Sequence, residues 1–119
     1  MKLPGPDHPI TIAPAKGRVV VHFQGTIVAD TEAALELKEA SYPPVLYIPR
    51  ADAHLEHFVR TDHHTHCPYK GEASYFSLDA EGQRAENAVW TYETPFPAMT
   101  EIAGHLAFYP DKVKIEEVA

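Results

Sequence analysis

Eleven prolines are spread along a chain of 119 residues, and they constrain its secondary structure more than any other feature. Proline is poorly tolerated inside a helix and cannot donate a hydrogen bond to a neighbouring strand. The prolines therefore divide the chain into segments that are too short for long helices. A chain of this length is expected to form a single domain, here residues 1–119, and to bury a core without disulfides or structural metal.

The segments between the prolines are mostly typical of short strands, because they are rich in β-branched and aromatic residues. Strands are predicted over residues 10–12, 18–23, 26–29, 45–48, 59–66, 73–78, 88–92, 105–109 and 113–116. Alanine, leucine and glutamate favour a helix over residues 32–40, capped by Asp30 or Thr31, and a second short helix is expected from about Pro97. Residues 1–8 are expected to form a loose arm. The pattern predicts a mainly β fold with two short helices, either barrel-like or a bent sandwich.

The charge and the cysteine content exclude several classes of function. Ten basic and seventeen acidic residues give a net charge of −7, which disfavours nucleic acid as a partner. The single cysteine allows neither an internal disulfide nor the usual cysteine-rich zinc sites. The apolar runs are too short to span a membrane, and the N-terminus does not resemble a signal peptide, so a cytoplasmic location is expected.

The most chemically dense segment runs from Thr61 to Phe76. It contains three of the eight histidines and the only cysteine, followed by the sequence Pro68-Tyr69-Lys70-Gly71. Proline and glycine predict a turn here, because the residue before proline avoids the helical region and glycine permits a positive φ.

Several sequence blocks together resemble the bacterial family catalogued as domain of unknown function 427, over about residues 9–116. They are Tyr47-Ile48-Pro49-Arg50-Ala51-Asp52, Thr65-His66-Cys67-Pro68-Tyr69-Lys70-Gly71-Glu72-Ala73-Ser74-Tyr75, Ala88-Val89-Trp90-Thr91-Tyr92 and Ile102-Ala103-Gly104-His105. The resemblance implies a compact antiparallel β-tent, in which two sheets meet at an angle. B-type methionine-sulfoxide reductases and the thalidomide-binding domain of cereblon share that architecture.

Two properties of such relatives do not transfer to this sequence. Their structural zinc usually rests on four cysteines, whereas this chain has Cys67 alone. The family has also been labelled nucleotidyltransferase-like, but such enzymes need closely spaced aspartates that hold metal ions against a triphosphate. The nearest candidate, Asp79-Ala80-Glu81, is followed by Gly82 and is more typical of a turn.

A histidine-bound metal is the first of three hypotheses for the dense segment. In a strand, His64 and His66 point to one face and His63 and Thr65 to the other, so the first pair could bind one zinc or other divalent ion. The alternative is a strand end with surface histidines. No cofactor is predicted on balance.

A reactive thiol is the second hypothesis. His66 precedes Cys67, and Lys70 follows it by three residues; a nearby cation lowers the pKa of a thiol and makes it more nucleophilic. Cys67 and Lys70 are therefore the candidate catalytic residues. The alternative is a buried cysteine that behaves as a small hydrophobic side chain.

A pocket for a small ligand is the third hypothesis, and the sequence favours it narrowly. Trp90 and Tyr92 share a strand face and Tyr75 is expected on the neighbouring strand, while Arg50, Thr65 and Lys70 supply polar groups; Tyr47, Phe108 and Tyr109 are further candidates. The predicted partner is an unknown small molecule with a carbonyl or anionic group, held by Lys70. The alternative is a non-catalytic structural or interaction domain. The expected exposed edge strands leave both a monomer and a homodimer open.

Overall fold

A computed structural model describes residues 1–118 of the chain. Within this range the strands are β1 (Ile10–Pro14), β2 (Arg18–Phe23), β3 (Thr26–Thr31), β4 (Leu35–Glu39), β5 (Val45–Tyr47), β6 (Phe58–Cys67), β7 (Gly71–Ala80), β8 (Gln83–Thr91), β9 (Leu106–Phe108) and β10 (Lys114–Val118). Short 3-10 helices cover Arg50–Asp52, Leu55–His57 and Pro97–Ile102. No helix of the described part of the chain is long and apolar enough to cross a membrane.

The strands form three antiparallel sheets in the orders β1-β4-β5, β10-β2-β3 and β6-β7-β8-β9. Sequential neighbours pair through tight turns; between β2 and β3, for example, Gln24 and Gly25 both have positive φ, as a two-residue hairpin turn requires. The first and third sheets are joined by reciprocal backbone hydrogen bonds between Ile48 and Leu106, each of 2.8 Å. The prediction of a mainly β, antiparallel fold is confirmed, and no sheet of residues 1–118 closes into a barrel.

The helix predicted over residues 32–40 is wrong, because this segment contains strand β4. Leu35, Leu37 and Glu39 alternate with exposed or half-exposed residues, which is the period of a strand. β4 is the central strand of its sheet, paired with β1 on one side and β5 on the other. Two ladders of hydrogen bonds and the burial of Leu37 outweigh the intrinsic helix preference of these residues, which amounts to less than about 1 kcal/mol per residue.

The four-stranded sheet separates two apolar clusters. On one face, Phe76, Leu78 and Val89 pack against β2 and β3 in the larger cluster. On the other face, Tyr75 and the strands β4 and β5 contribute to a smaller, more aromatic cluster. Because side chains alternate along a strand, β7 and β8 supply both clusters at once. The candidate site lies on the face with the smaller cluster.

Candidate functional site

A cavity of about 300 Å³ opens between the sheet β1-β4-β5 and the aromatic face of the four-stranded sheet. Aromatic side chains form most of its wall, and one acidic and one basic side chain complete it. Its lining is Leu37, Glu39, Tyr42, Pro43, Val45, Tyr47, Lys70, Tyr75, Trp90, Tyr92 and Tyr109. Four of the residues proposed from the sequence, Lys70, Tyr75, Trp90 and Tyr92, are therefore brought to one cavity.

The turn between β6 and β7 places Lys70 at the cavity wall. Its side chain is only 9% exposed, which is rare for lysine. The backbone N–H of Phe96 donates to the carbonyl oxygen of Lys70 at 2.9 Å, and this bond fixes the turn to the segment after β8. Gly71 follows with φ of +112°, a conformation that is open essentially to glycine alone. The predicted turn is thus confirmed, and its geometry directs the lysine inward.

A buried ion pair holds the ammonium of Lys70. Its Nζ donates to Oε1 of Glu39 at 2.5 Å, and Nε2 of His8 lies 2.7 Å from Oε2 of the same carboxylate. The ring of His8 is in turn stacked on Tyr69 at a centroid distance of 4.1 Å. Burial raises the pKa of Glu39, but the hydrogen bonds from Lys70 and His8 outweigh burial and leave that pKa below its ordinary value. The carboxylate is therefore ionised at neutral pH.

Cys67 and Thr65 do not line the cavity, but each contacts a residue that does. The Sγ atom of Cys67 is 3.6 Å from Nζ of Lys70, and the half-buried thiol packs against the smaller apolar cluster. The hydroxyl of Thr65 is 2.9 Å from that of Tyr75, which does line the cavity. Each of the two residues can therefore affect the cavity only through the lining residue that it contacts.

The aromatic walls are tied together by hydrogen bonds. The indole N–H of Trp90 donates to the hydroxyl of Tyr47 at 3.3 Å, and the hydroxyls of Tyr75 and Tyr109 are 3.4 Å apart. Burial raises the pKa of Tyr109 to about 12 and that of Tyr47 well above its ordinary value. Both phenols stay protonated at neutral pH, so their hydroxyls remain available as donors.

Tyr92 presents a free donor to the cavity. The residue is 7% exposed, and its hydroxyl has no hydrogen-bond partner within residues 1–118. Tyr92 is one of the residues that line the cavity. Burial is also the main cause that raises the pKa of Tyr92. Tyr92 therefore contributes a protonated phenol to the cavity wall.

The profile of the family described as Domain of unknown function (DUF427) matches residues 11–119. The chain belongs to this family. No curated protein matches its sequence.

In this member of the family, the sheet separates Arg50 from the cavity. The guanidinium of Arg50 contacts Glu93 at 3.1 Å and the hydroxyl of Thr91 at 3.4 Å, on the opposite face of β8 from Trp90. Arg60 donates to the same Glu93 carboxylate. Arg50 thus belongs to a separate ion-pair cluster.

The histidines of β6 lie at the outer edge of the four-stranded sheet. His64 is exposed, and Nδ1 of His66 is 2.7 Å from Oε1 of Glu72. His63 points the other way, with its ring 4.5 Å from that of Tyr75. Residues 1–118 contain no group of three or more histidine, cysteine, aspartate or glutamate side chains that is arranged to hold a metal ion.

Sequence reasoning missed Glu39, the ion-pair partner of Lys70, and His8, which contacts the same carboxylate. Glu39 was assigned to a helix, and His8 to an arm with no expected contacts. The alternation Leu35-Glu36-Leu37-Lys38 was the available signal, because it is the pattern of a strand with one buried face. Nothing in the sequence marks His8 as a partner of Glu39, which follows it by 31 residues.

Proposed function

We propose that this domain binds a small planar molecule carrying a carboxylate or a carbonyl group in the cavity beside Lys70. The observation that carries the proposal is an enclosed ammonium on the wall of an aromatic cavity, with a hydrogen-bond donor to spare. An ammonium has three N–H donors. In Lys70 one is directed to Glu39 and one to the thiol of Cys67, which leaves one for a ligand.

Two hydroxyl groups on the cavity wall, those of Tyr47 and Tyr92, are also available as donors. The hydroxyl of Tyr47 accepts from Trp90 and has no acceptor of its own within the described residues, and the hydroxyl of Tyr92 has no partner there. A cavity with surplus donors favours a ligand rich in acceptors, because unpaired polar groups lose free energy when water is excluded. Carboxylates and carbonyls supply acceptors in pairs.

The size and charge of the cavity restrict the ligand further. A volume of about 300 Å³ lies at the small end of the range for ligand sites. The carboxylate of Glu39 neutralises Lys70, so the pair favours a neutral ligand or one with a single negative charge. Ring faces from Trp90 and several tyrosines favour a planar ligand through stacking.

The proposal is tested with a panel of small planar carboxylates and cyclic amides against the full chain. Trp90 is the only tryptophan and lines the cavity, so its fluorescence reports binding directly, and ligand-observed NMR provides an independent measurement. We expect at least one class in the panel to bind and to change the emission of Trp90. Binding that leaves Trp90 unchanged would place the site elsewhere.

Two variants and one control connect binding to the cavity. Tyr92→Phe removes only the free hydroxyl, and we expect it to weaken binding about five- to tenfold, as for one lost hydrogen bond of about 1–1.5 kcal/mol. Glu39→Gln combined with Lys70→Gln keeps hydrogen-bonding groups but removes both charges, and is expected to weaken carboxylates more than amides. Tyr69→Phe, outside the cavity, should change neither. If no compound binds and the variants alter only stability, the block around Lys70 is structural.

A further inference from the structure

A second cavity, of about 510 Å³, adjoins the first one and is predominantly apolar. It lies between β5, β9 and β10, and Leu46, Phe108 and Ile115 form its apolar walls. We call the cavity beside Lys70 the head cavity and this one the tail cavity. Phe108 and Ile115 belong to the larger apolar cluster, so this cluster forms part of the wall of the tail cavity.

The two cavities share one wall. Tyr42, Pro43, Val45 and Trp90 line both of them, so the head cavity and the tail cavity meet at these four residues. Tyr42 is 64% exposed, and the two prolines that follow it fix the backbone of this loop. The shared wall is therefore a narrow boundary made of side chains.

The polar groups are distributed unequally between the cavities. Lys70, Tyr47 and Tyr92 line the head cavity alone. The charged residues of the tail cavity are Glu36 and Glu117, both acidic. Acidic groups disfavour a second anionic group, and aliphatic walls favour apolar atoms. A ligand that occupies both cavities has its acceptor group beside Lys70 and an uncharged apolar extension beside Ile115.

We infer that the ligand of this domain is an elongated amphiphile, with a planar carboxylate or carbonyl head and an apolar tail that crosses the Trp90 wall. This inference rests on the proposed function, since it assigns the head to the site described above. It adds a second subsite and a class of ligand, of which para-alkylbenzoates are the simplest synthetic probes.

The test is a series made of benzoate and para-alkylbenzoates with ethyl, butyl and hexyl chains, measured by the fluorescence of Trp90 and by calorimetry. Benzoate occupies the head cavity only. If the tail enters an apolar subsite, affinity rises by about fourfold for each buried methylene. We expect the rise to continue until the tail cavity is filled and then to stop.

Two variants place the gain in the tail cavity. Ile115→Ser removes an apolar wall, and Pro44→Glu adds an acidic group at an exposed position that lines the tail cavity only. Both are expected to flatten the dependence on chain length while the affinity for benzoate stays the same. Val59→Ser is the matched control, because Val59 is a half-exposed aliphatic residue of β6 that lines neither cavity.

The outcomes separate the two proposals. Benzoate that binds with no gain from any alkyl chain overturns the amphiphile inference and leaves the proposed function in place. A gain that persists equally in Ile115→Ser, Pro44→Glu and Val59→Ser also overturns it, because the chain then binds somewhere else. If neither benzoate nor its alkyl derivatives bind while a cyclic amide does, the amphiphile inference fails and the proposed function stands. If no compound of either set binds, both fail.

Discussion

Lys70 and Glu39 form an ion pair in a nearly closed position. Desolvating an ion costs several kcal/mol, and the cost is offset only when a partner of opposite charge is placed at hydrogen-bond distance. The imidazole of His8 also contacts this carboxylate, so each carboxylate oxygen has a hydrogen-bond partner. The pair is therefore one unit, and the two residues are expected to respond together to substitution.

Lys70→Met should lower the free energy of unfolding by about 3–5 kcal/mol, because it leaves the carboxylate of Glu39 buried without its main partner. Adding Glu39→Gln should restore most of that loss. Urea unfolding of the single variant, the double variant and the exposed control Lys16→Met measures this. A loss below about 1 kcal/mol in Lys70→Met, comparable to that of a surface pair, would contradict the enclosed ion pair.

Glu93 makes the stability of the fold depend on pH in the acidic range. The hydrogen bond from Arg60 is the main cause that lowers its pKa, and with Arg50 it brings the pKa to about 2. The unfolded value is about 4.3, so this interaction stabilises the fold fully above that pH and is lost as the pH falls towards 2. Glu93→Gln should therefore destabilise the protein at neutral pH and flatten the loss of stability between about pH 4 and pH 2.

Unfolding midpoints measured across this pH range test the role of Glu93. Glu81→Gln, in the exposed turn between β7 and β8, is the control and should keep the slope of the parent protein. An unchanged slope in Glu93→Gln would mean that the two arginines do not depress the pKa of this carboxyl group.

Individual strands show how much of the fold and of the site can be predicted from the sequence. The face shared by Trp90 and Tyr92, and the position of Tyr75 beside them, follow from the period of two in adjacent strands, because β7 and β8 are joined by a tight turn. Glu39 could not be placed in the same way. The residues around it favour a helix, so the sequence predicts the wrong secondary structure there. β4 is a strand because it pairs with β1 and β5.

Arg50 shows the same limit at longer range. The sequence predicts Arg50 as one of the polar groups of the pocket. Its side chain instead follows Thr91 to the other face of the sheet, which is fixed by the register of β8 rather than by local sequence. Local pattern therefore predicts which residues share a strand face, while the pairing of distant strands decides which faces meet.

The turn between β6 and β7 depends on a glycine. Gly71→Ala should cost about 1–3 kcal/mol, because an alanine at φ of +112° is strained. The added methyl group would meet the backbone of Pro95 and Phe96 only at 3.6–3.7 Å, so the cost comes from conformation rather than from a clash. The control is Gly5→Ala, because φ of Gly5 is not positive and a methyl group added there would have no atom within 4 Å. Chemical unfolding of the two variants therefore isolates the cost of the backbone conformation. Equal stabilities would contradict it.

At the scale of the whole molecule, both apolar clusters stabilise the fold, but only the smaller one contributes to the walls of the head cavity. Leu78 lies in the larger cluster, and Leu37 lies in the smaller one and lines the head cavity. Both are at most 1% exposed, so Leu→Ala at either position should cost about 2–5 kcal/mol. Only Leu37→Ala should also change the affinity for the planar carboxylates. Equal changes in affinity would show that the cavity depends on the whole fold rather than on its own walls.

His8 extends the site beyond the stretch by which the family is recognised. The family profile begins at residue 11, whereas the imidazole that completes the shell of Glu39 comes from residue 8. The backbone N–H of Lys2 also donates to the carbonyl of Pro68, immediately before the Tyr69-Lys70 turn. Trimming the protein to its recognisable region would thus remove His8 together with Ile10, the first residue of β1, which pairs with Glu39. Attaching an affinity tag ahead of Lys2 would alter the surroundings of Lys70 without removing any residue of a strand. Binding assays on this domain are best made with an unmodified amino terminus and any tag at the far end.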